Sequence, residues 1–86
     1  MPELSRFFGI VIYLYFREHN PPHFHAVYGE EEILIEIPSL SVITGHLSPR
    51  ALGLVMEWAS IHQSELLKAW EQAMNHQMPD KIEPLK

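Results

Sequence analysis

The stretch Asn20-Pro21-Pro22-His23-Phe24-His25-Ala26-Val27-Tyr28-Gly29-Glu30-Glu31-Glu32-Ile33-Leu34-Ile35-Glu36-Ile37 decides the fold. Pro21 and Pro22 donate no backbone hydrogen bond, and each holds the residue before it extended, so the chain enters a stiff corner. Two runs rich in aromatic and β-branched residues then flank a glycine, which is the pattern of a β-hairpin. A two-residue loop at Glu30-Glu31 predicts Tyr28 opposite Ile33, Ala26 opposite Ile35 and Phe24 opposite Ile37, an apolar face. The other face then pairs Val27 with Leu34 and His25 with Glu36, and such a polar pair contributes about 0.2–1 kcal/mol.

Upstream, Phe7 to Arg17 reads as one central strand, with Phe8, Ile10, Ile12, Leu14 and Phe16 toward the core. Gly9, Val11, Tyr13, Tyr15 and Arg17 occupy its other face. Matching faces sets Phe16 opposite Phe24, Tyr15 opposite His25 and Arg17 opposite His23, since a slip by one residue would turn every side chain over.

Downstream, Pro38 ends the hairpin and Leu40–Gly45 predicts a short fourth strand at the edge. Ser48-Pro49 is a helix start, a serine N-cap followed by proline in the first turn. No proline interrupts Arg50 to His76, which predicts one long helix on the order of 40 Å. At 100° per residue Ala51, Leu52, Val55, Trp58, Ala59, Leu66, Ala69, Trp70 and Ala73 form its buried stripe, with His62 in the middle. His62, Trp58 and Trp70 are accordingly read as core. Ile82 and Leu85 are expected to tie the tail to the body. The expected fold is α+β: an antiparallel sheet of three to four strands with one long C-terminal helix packed on one face, a single domain over residues 1–86.

Composition narrows the function. The chain has 86 residues, of which 47% are hydrophobic and 20% charged, a globular composition. A domain this small buries limited surface, so a protein partner or a homodimer is expected. Six Lys plus Arg against eleven Asp plus Glu give a net charge of −5, which argues against a general binder of phosphate backbones. Without cysteine there is neither a disulfide nor a thiolate metal site. With no signal-peptide pattern and no membrane-length apolar run, a soluble cytoplasmic protein without membrane attachment is expected.

The outer sheet face collects Tyr13, Tyr15, Arg17, His23, His25 and Glu36. His23, His25, Arg17, Tyr15 and Glu36 are the candidate catalytic set. They supply an acid, a base, a phosphate clamp and an orienting carboxylate for metal-independent RNA cleavage, with a histidine or tyrosine taking the 2′-hydroxyl proton and Arg17 stabilising the phosphorane. The competing reading is of ordinary cross-strand pairs on a half-exposed sheet. No cofactor is expected; were a metal bound, His23 and His25 would hold it with Glu36, or with His19. The glutamates Glu30–Glu32 read as a solvated hairpin tip. Tyr13, Val27 and Leu34 on the sheet, with Leu54 and Ile61 outside the main helix stripe, are the candidate interface.

Four blocks in order carry a resemblance: Met1–Ile12, Pro21–Gly29, Arg50-Ala51-Leu52 with Glu57-Trp58-Ala59, and Lys81–Leu85. Together they resemble the short bacterial proteins of domain of unknown function family 4160. The resemblance implies one half of a two-gene module, a toxin-like component of a toxin–antitoxin system with a cognate antitoxin-like protein as partner. It implies no catalytic residues. At His19-Asn20 the chain departs from the short acidic or polar turn expected of the family.

Overall fold

The computed structural model describes residues 2–16 and 18–86. Five strands, β1 (Glu3–Phe7), β2 (Ile10–Tyr13), β3 (His23–Tyr28), β4 (Glu31–Glu36) and β5 (Val42–Gly45), run as one antiparallel meander in chain order. Two helices follow, α1 (Pro49–Ile61) and α2 (Gln63–Met74). The class is α+β as expected; the sheet has five strands instead of three to four, and two helices replace the single long one.

The additional strand comes from a turn inside the run expected to be continuous. Phe8 and Gly9 have φ of 48° and 81°, and Phe7 pairs with Ile10, so the chain reverses there through a two-residue hairpin with positive φ at both positions. Phe8 is 58% exposed at the tip, not on the core face where the alternation put it. Beyond the turn the alternation holds: Ile10, Ile12 and Leu14 are fully buried. A backbone bond from Leu14 N–H to the Pro2 carbonyl (3.1 Å) closes the open end of this hairpin.

The second hairpin turns at Gly29-Glu30, one residue earlier than expected. Gly29 has φ 61° and Glu30 does not, the pattern of a type II′ turn. Tyr28 therefore faces Glu31, Ala26 faces Ile33, His25 faces Leu34 and His23 faces Glu36. On the other side Tyr13, not Tyr15, lies opposite His25, and Ile12 lies opposite Ala26. Each expected partner is displaced by two residues. Because two residues is one full pleat, every face assignment in the pairing survives.

β5 closes the meander, and its last residue has a steric reason to be glycine. A β-carbon on Gly45, at φ 93°, would stand 2.3 Å from the Glu32 carbonyl oxygen. Pro49 occupies the first turn of α1 as expected, but Ser48 makes no side-chain cap. Its backbone N–H donates instead to Glu31 Oε1 (2.9 Å), so a carboxylate from the hairpin tip meets the helix start. The helix breaks at His62 (φ −111°, ψ 24°), while the bonds His62 N–H to Trp58 O and Leu66 N–H to His62 O carry the ladder across. His62 is half-buried, with Nδ1 2.6 Å from Glu65 Oε1 and its ring beside Trp58.

The helices cover one sheet face. Ala51, Val55, Trp58, Ala59, Leu66, Ala69, Trp70 and Ala73 are buried as the periodicity required, and Leu52 is half-buried beside them. Trp58 lies at the centre against the rings of Phe7 and Phe24. The tail returns over it: Ile82 N–H donates to the Leu4 carbonyl (2.8 Å), and the Trp58 indole N–H donates to the Glu83 carbonyl (2.8 Å). Ile82 is buried and Leu85 packs against the core. Among the described residues no helix is long and apolar enough to cross a membrane.

Candidate metal centre

The proline corner is anchored before the histidines begin. Ile37 N–H donates to the Pro22 carbonyl (2.9 Å), tying the corner to the end of β4. The Asn20-Pro21 bond is cis, and the Pro21 carbonyl oxygen lies 2.8 Å from His23 Nδ1. A carbonyl only accepts, so Nδ1 carries the hydrogen and the neutral ring presents a lone pair at Nε2. His23 Nε2 is buried and has no hydrogen-bond partner among the described residues. Its nearest carboxylate atom is Glu18 Oε2, 3.5 Å away.

His25 is oriented in the same sense by a different pair. The Tyr13 hydroxyl donates to Glu32 Oε2 (2.7 Å), and His25 Nδ1 lies 3.0 Å from that same oxygen. The carboxylate only accepts, so Nδ1–H donates to it and Nε2 turns the other way, to 2.6 Å from Glu18 Oε1. Glu32 is held below the usual carboxylate range, chiefly by the Tyr13 hydroxyl and also by His25, against an opposing push from burial. The Tyr13 phenol is pushed well above its ordinary value, first by burial and then by its bond to Glu32.

Aromatic rings wall the pair. Tyr13 stacks on His25 (5.0 Å, 11°), Tyr15 meets it edge-on (4.8 Å, 85°), and Trp70 of α2 lies 5.2 Å from His23. The two histidines retain only 6% and 5% exposure. The side chain of Glu18 retains 22%, so it forms the wetter side of the cluster.

Sequence reasoning placed His23, His25 and Tyr15 together, and the structure brings them together. Glu36 lies opposite His23 in register, but among the described residues no hydrogen bond joins it to either histidine. The carboxylates that reach the rings are Glu18 and Glu32, which the sequence did not single out. Glu32 replaces Glu36 because the register is displaced by one pleat and the contact is diagonal. The signal for Glu18 was its place at the mouth of the proline loop. Glu32 is thus no idle member of a solvated tip, and neither is Glu31 at the helix start. Arg17 lies outside the described residues. Of the expected interface, Val27, Leu34 and Leu54 are half-buried and Ile61 is 61% exposed, while Tyr13 is buried and belongs to the cluster.

The comparisons with known proteins bear on family. The model described as Domain of unknown function (DUF4160) matches residues 9–71. The chain belongs to the DUF4160 family. The matched span holds Glu18, His23, His25 and Glu32, together with the proline corner and the helix blocks read from the sequence. The opening residues before Gly9 and the Lys81–Leu85 ending lie outside it. Neither the comparison with curated proteins nor that with solved structures gives a match.

Proposed function

We propose that this DUF4160 chain is a metal-binding module with hydrolytic capability, its centre built from Glu18, His23 and His25. The observation that carries the reading is the convergence of acceptors. With both Nδ1 atoms committed as donors, the two Nε2 atoms and one Glu18 carboxylate oxygen face one another within 4.8 Å, and the 2.6 Å contact of His25 Nε2 with Glu18 holds a proton that a cation would displace. A single proton bridges His25 and Glu18 but leaves the buried Nε2 of His23 bare, a desolvated acceptor costing about 1–3 kcal/mol. One divalent cation satisfies all three. To hold one ion the three donors, which lie within 4.8 Å of one another, would close to the roughly 2.0–2.2 Å bonds that such ions make, with the partly exposed Glu18 side chain the freest of them to move.

Two imidazoles and a carboxylate, without sulfur, suit Zn²⁺ and neighbouring first-row ions. Three protein ligands leave a coordination position for water, whose activation is the chemistry such an ion supplies. The chain's own part is to orient the rings through Pro21 and Glu32 and to wall the site with Tyr13, Tyr15 and Trp70. Untagged protein should bind one equivalent of Zn²⁺ or Co²⁺ by calorimetry. His23→Ala and Glu18→Gln should each weaken binding at least about tenfold. No stoichiometric uptake by the unmodified chain would refute the centre.

A second reading is the toxin-like half of a two-gene toxin–antitoxin-type module, acting through a protein partner and directed at RNA. The family resemblance supports it, as do the apolar side chains left open at Phe8, Tyr28, Val42, Ile43 and Ile61. Expression alone should arrest growth, and co-expression of the neighbouring gene product should restore it. Harmless expression would remove this role.

A further inference from the structure

We propose that Glu32 and Tyr13 are the positioning residues of the metal centre, a relay that holds His25 with Nε2 aimed at Glu18 and His23. The proposal rests on the metal reading above. Neither residue is among the three candidate ligands, and both act through His25.

The geometry is specific. A single oxygen, Glu32 Oε2, receives the Tyr13 hydroxyl at 2.7 Å and His25 Nδ1–H at 3.0 Å. Tyr13 also stacks its ring on the imidazole, so one residue fixes both the plane of His25 and the carboxylate that selects its tautomer. His23 needs no such relay, because the Pro21 carbonyl performs the same task from the backbone. The centre therefore has one ring oriented by main chain and one by side chains. Only the second can be loosened by substitution without rebuilding the corner. Carboxylate partners behind a ligating histidine typically account for 10–100-fold in metal affinity.

Glu32→Ala, Glu32→Gln and Tyr13→Phe separate the parts. Glu32 is substantially exposed (44% for its side chain), so its replacement does not empty the core. The amide oxygen of Gln still accepts from Nδ1–H, whereas Ala offers nothing. In Co²⁺ titrations of the full chain, Glu32→Ala should weaken binding 10–100-fold and shift the visible absorption bands of the bound ion. Glu32→Gln should recover most of the affinity, and Tyr13→Phe should fall between. Nitrogen NMR of the metal-free chain reads the tautomer directly: His25 should carry its hydrogen on Nδ1 in the unmodified chain and lose that preference in Glu32→Ala. Equal Co²⁺ affinity and unchanged bands in folded Glu32→Ala would overturn the relay and leave the centre standing. Failure of the unmodified chain to bind Co²⁺ would overturn the centre and the relay with it.

Discussion

Tyr13 shows how one side chain serves both packing and polarity. Tyr13 is 4% exposed, and its hydroxyl finds the Glu32 carboxylate, which meets the requirement that a buried hydroxyl be paired. Tyr13→Phe keeps the ring and removes the bond. Discounted for the solvent around Glu32, the loss should be about 1 kcal/mol in urea denaturation at neutral pH. The pH dependence follows from the two shifts. Glu32 titrates lower in the folded state than its ordinary 4.5, so its contribution is present above that value and is lost as pH falls through the folded pKa. Tyr13 titrates higher than its ordinary 10.0, so the neutral phenol contributes fully below that pH and less as pH rises beyond it. The difference between Tyr13→Phe and the unmodified chain should therefore be greatest between about pH 5 and 9, and narrow on either side. An equal difference at pH 3 and pH 7 would contradict this account.

Elements were legible in proportion to how local their signals are. Helix burial followed the 3.6-residue period from Ala51 to Ala73, and strand burial followed alternation through Ile10, Ile12 and Leu14. The turns were harder. Phe8 adopts φ 48° at a position where Asn or Asp is the usual partner of the following glycine, so nothing in Phe7-Phe8-Gly9-Ile10 announced a reversal. Phe8→Asn supplies the favoured Asn-Gly pair and removes an exposed ring. It should stabilise the chain by about 0.5–1 kcal/mol, seen as a higher urea midpoint with an unchanged slope. A lower midpoint would mean that the Phe8 ring, which borders a cleft with Tyr28 and Leu54, contributes more than its backbone strain costs. The break at His62 was equally silent, since histidine is tolerated in helices and no glycine or proline marks the site.

At the scale of the molecule, one sheet face is sealed by two helices and a returning tail. The other face is covered mainly at its proline end, where Trp70 and the two tyrosines enclose the histidines. That asymmetry gives the cluster its character. The same Glu18, His23 and His25 on an open sheet would be solvated side chains with their hydrogen-bonding capacity met by water. Enclosed, they leave His23 Nε2 as an acceptor with no donor among the described residues.

The sequence by itself determined the α+β class, the faces of β2, β3 and β4, the buried helix stripe and the placing of His23 with His25 on one face. All of these follow from periodicity and local stereochemistry, which a chain carries wherever it goes. Only the tertiary structure decided which carboxylates meet the histidines. A displacement of one pleat preserves every face yet sets Leu34 opposite His25 in place of Glu36, with Glu32 reaching the ring on the diagonal, and Glu18 arrives from a loop that has no period to read. Contact across strands depends on the absolute register and on what encloses it, and alternation is blind to both.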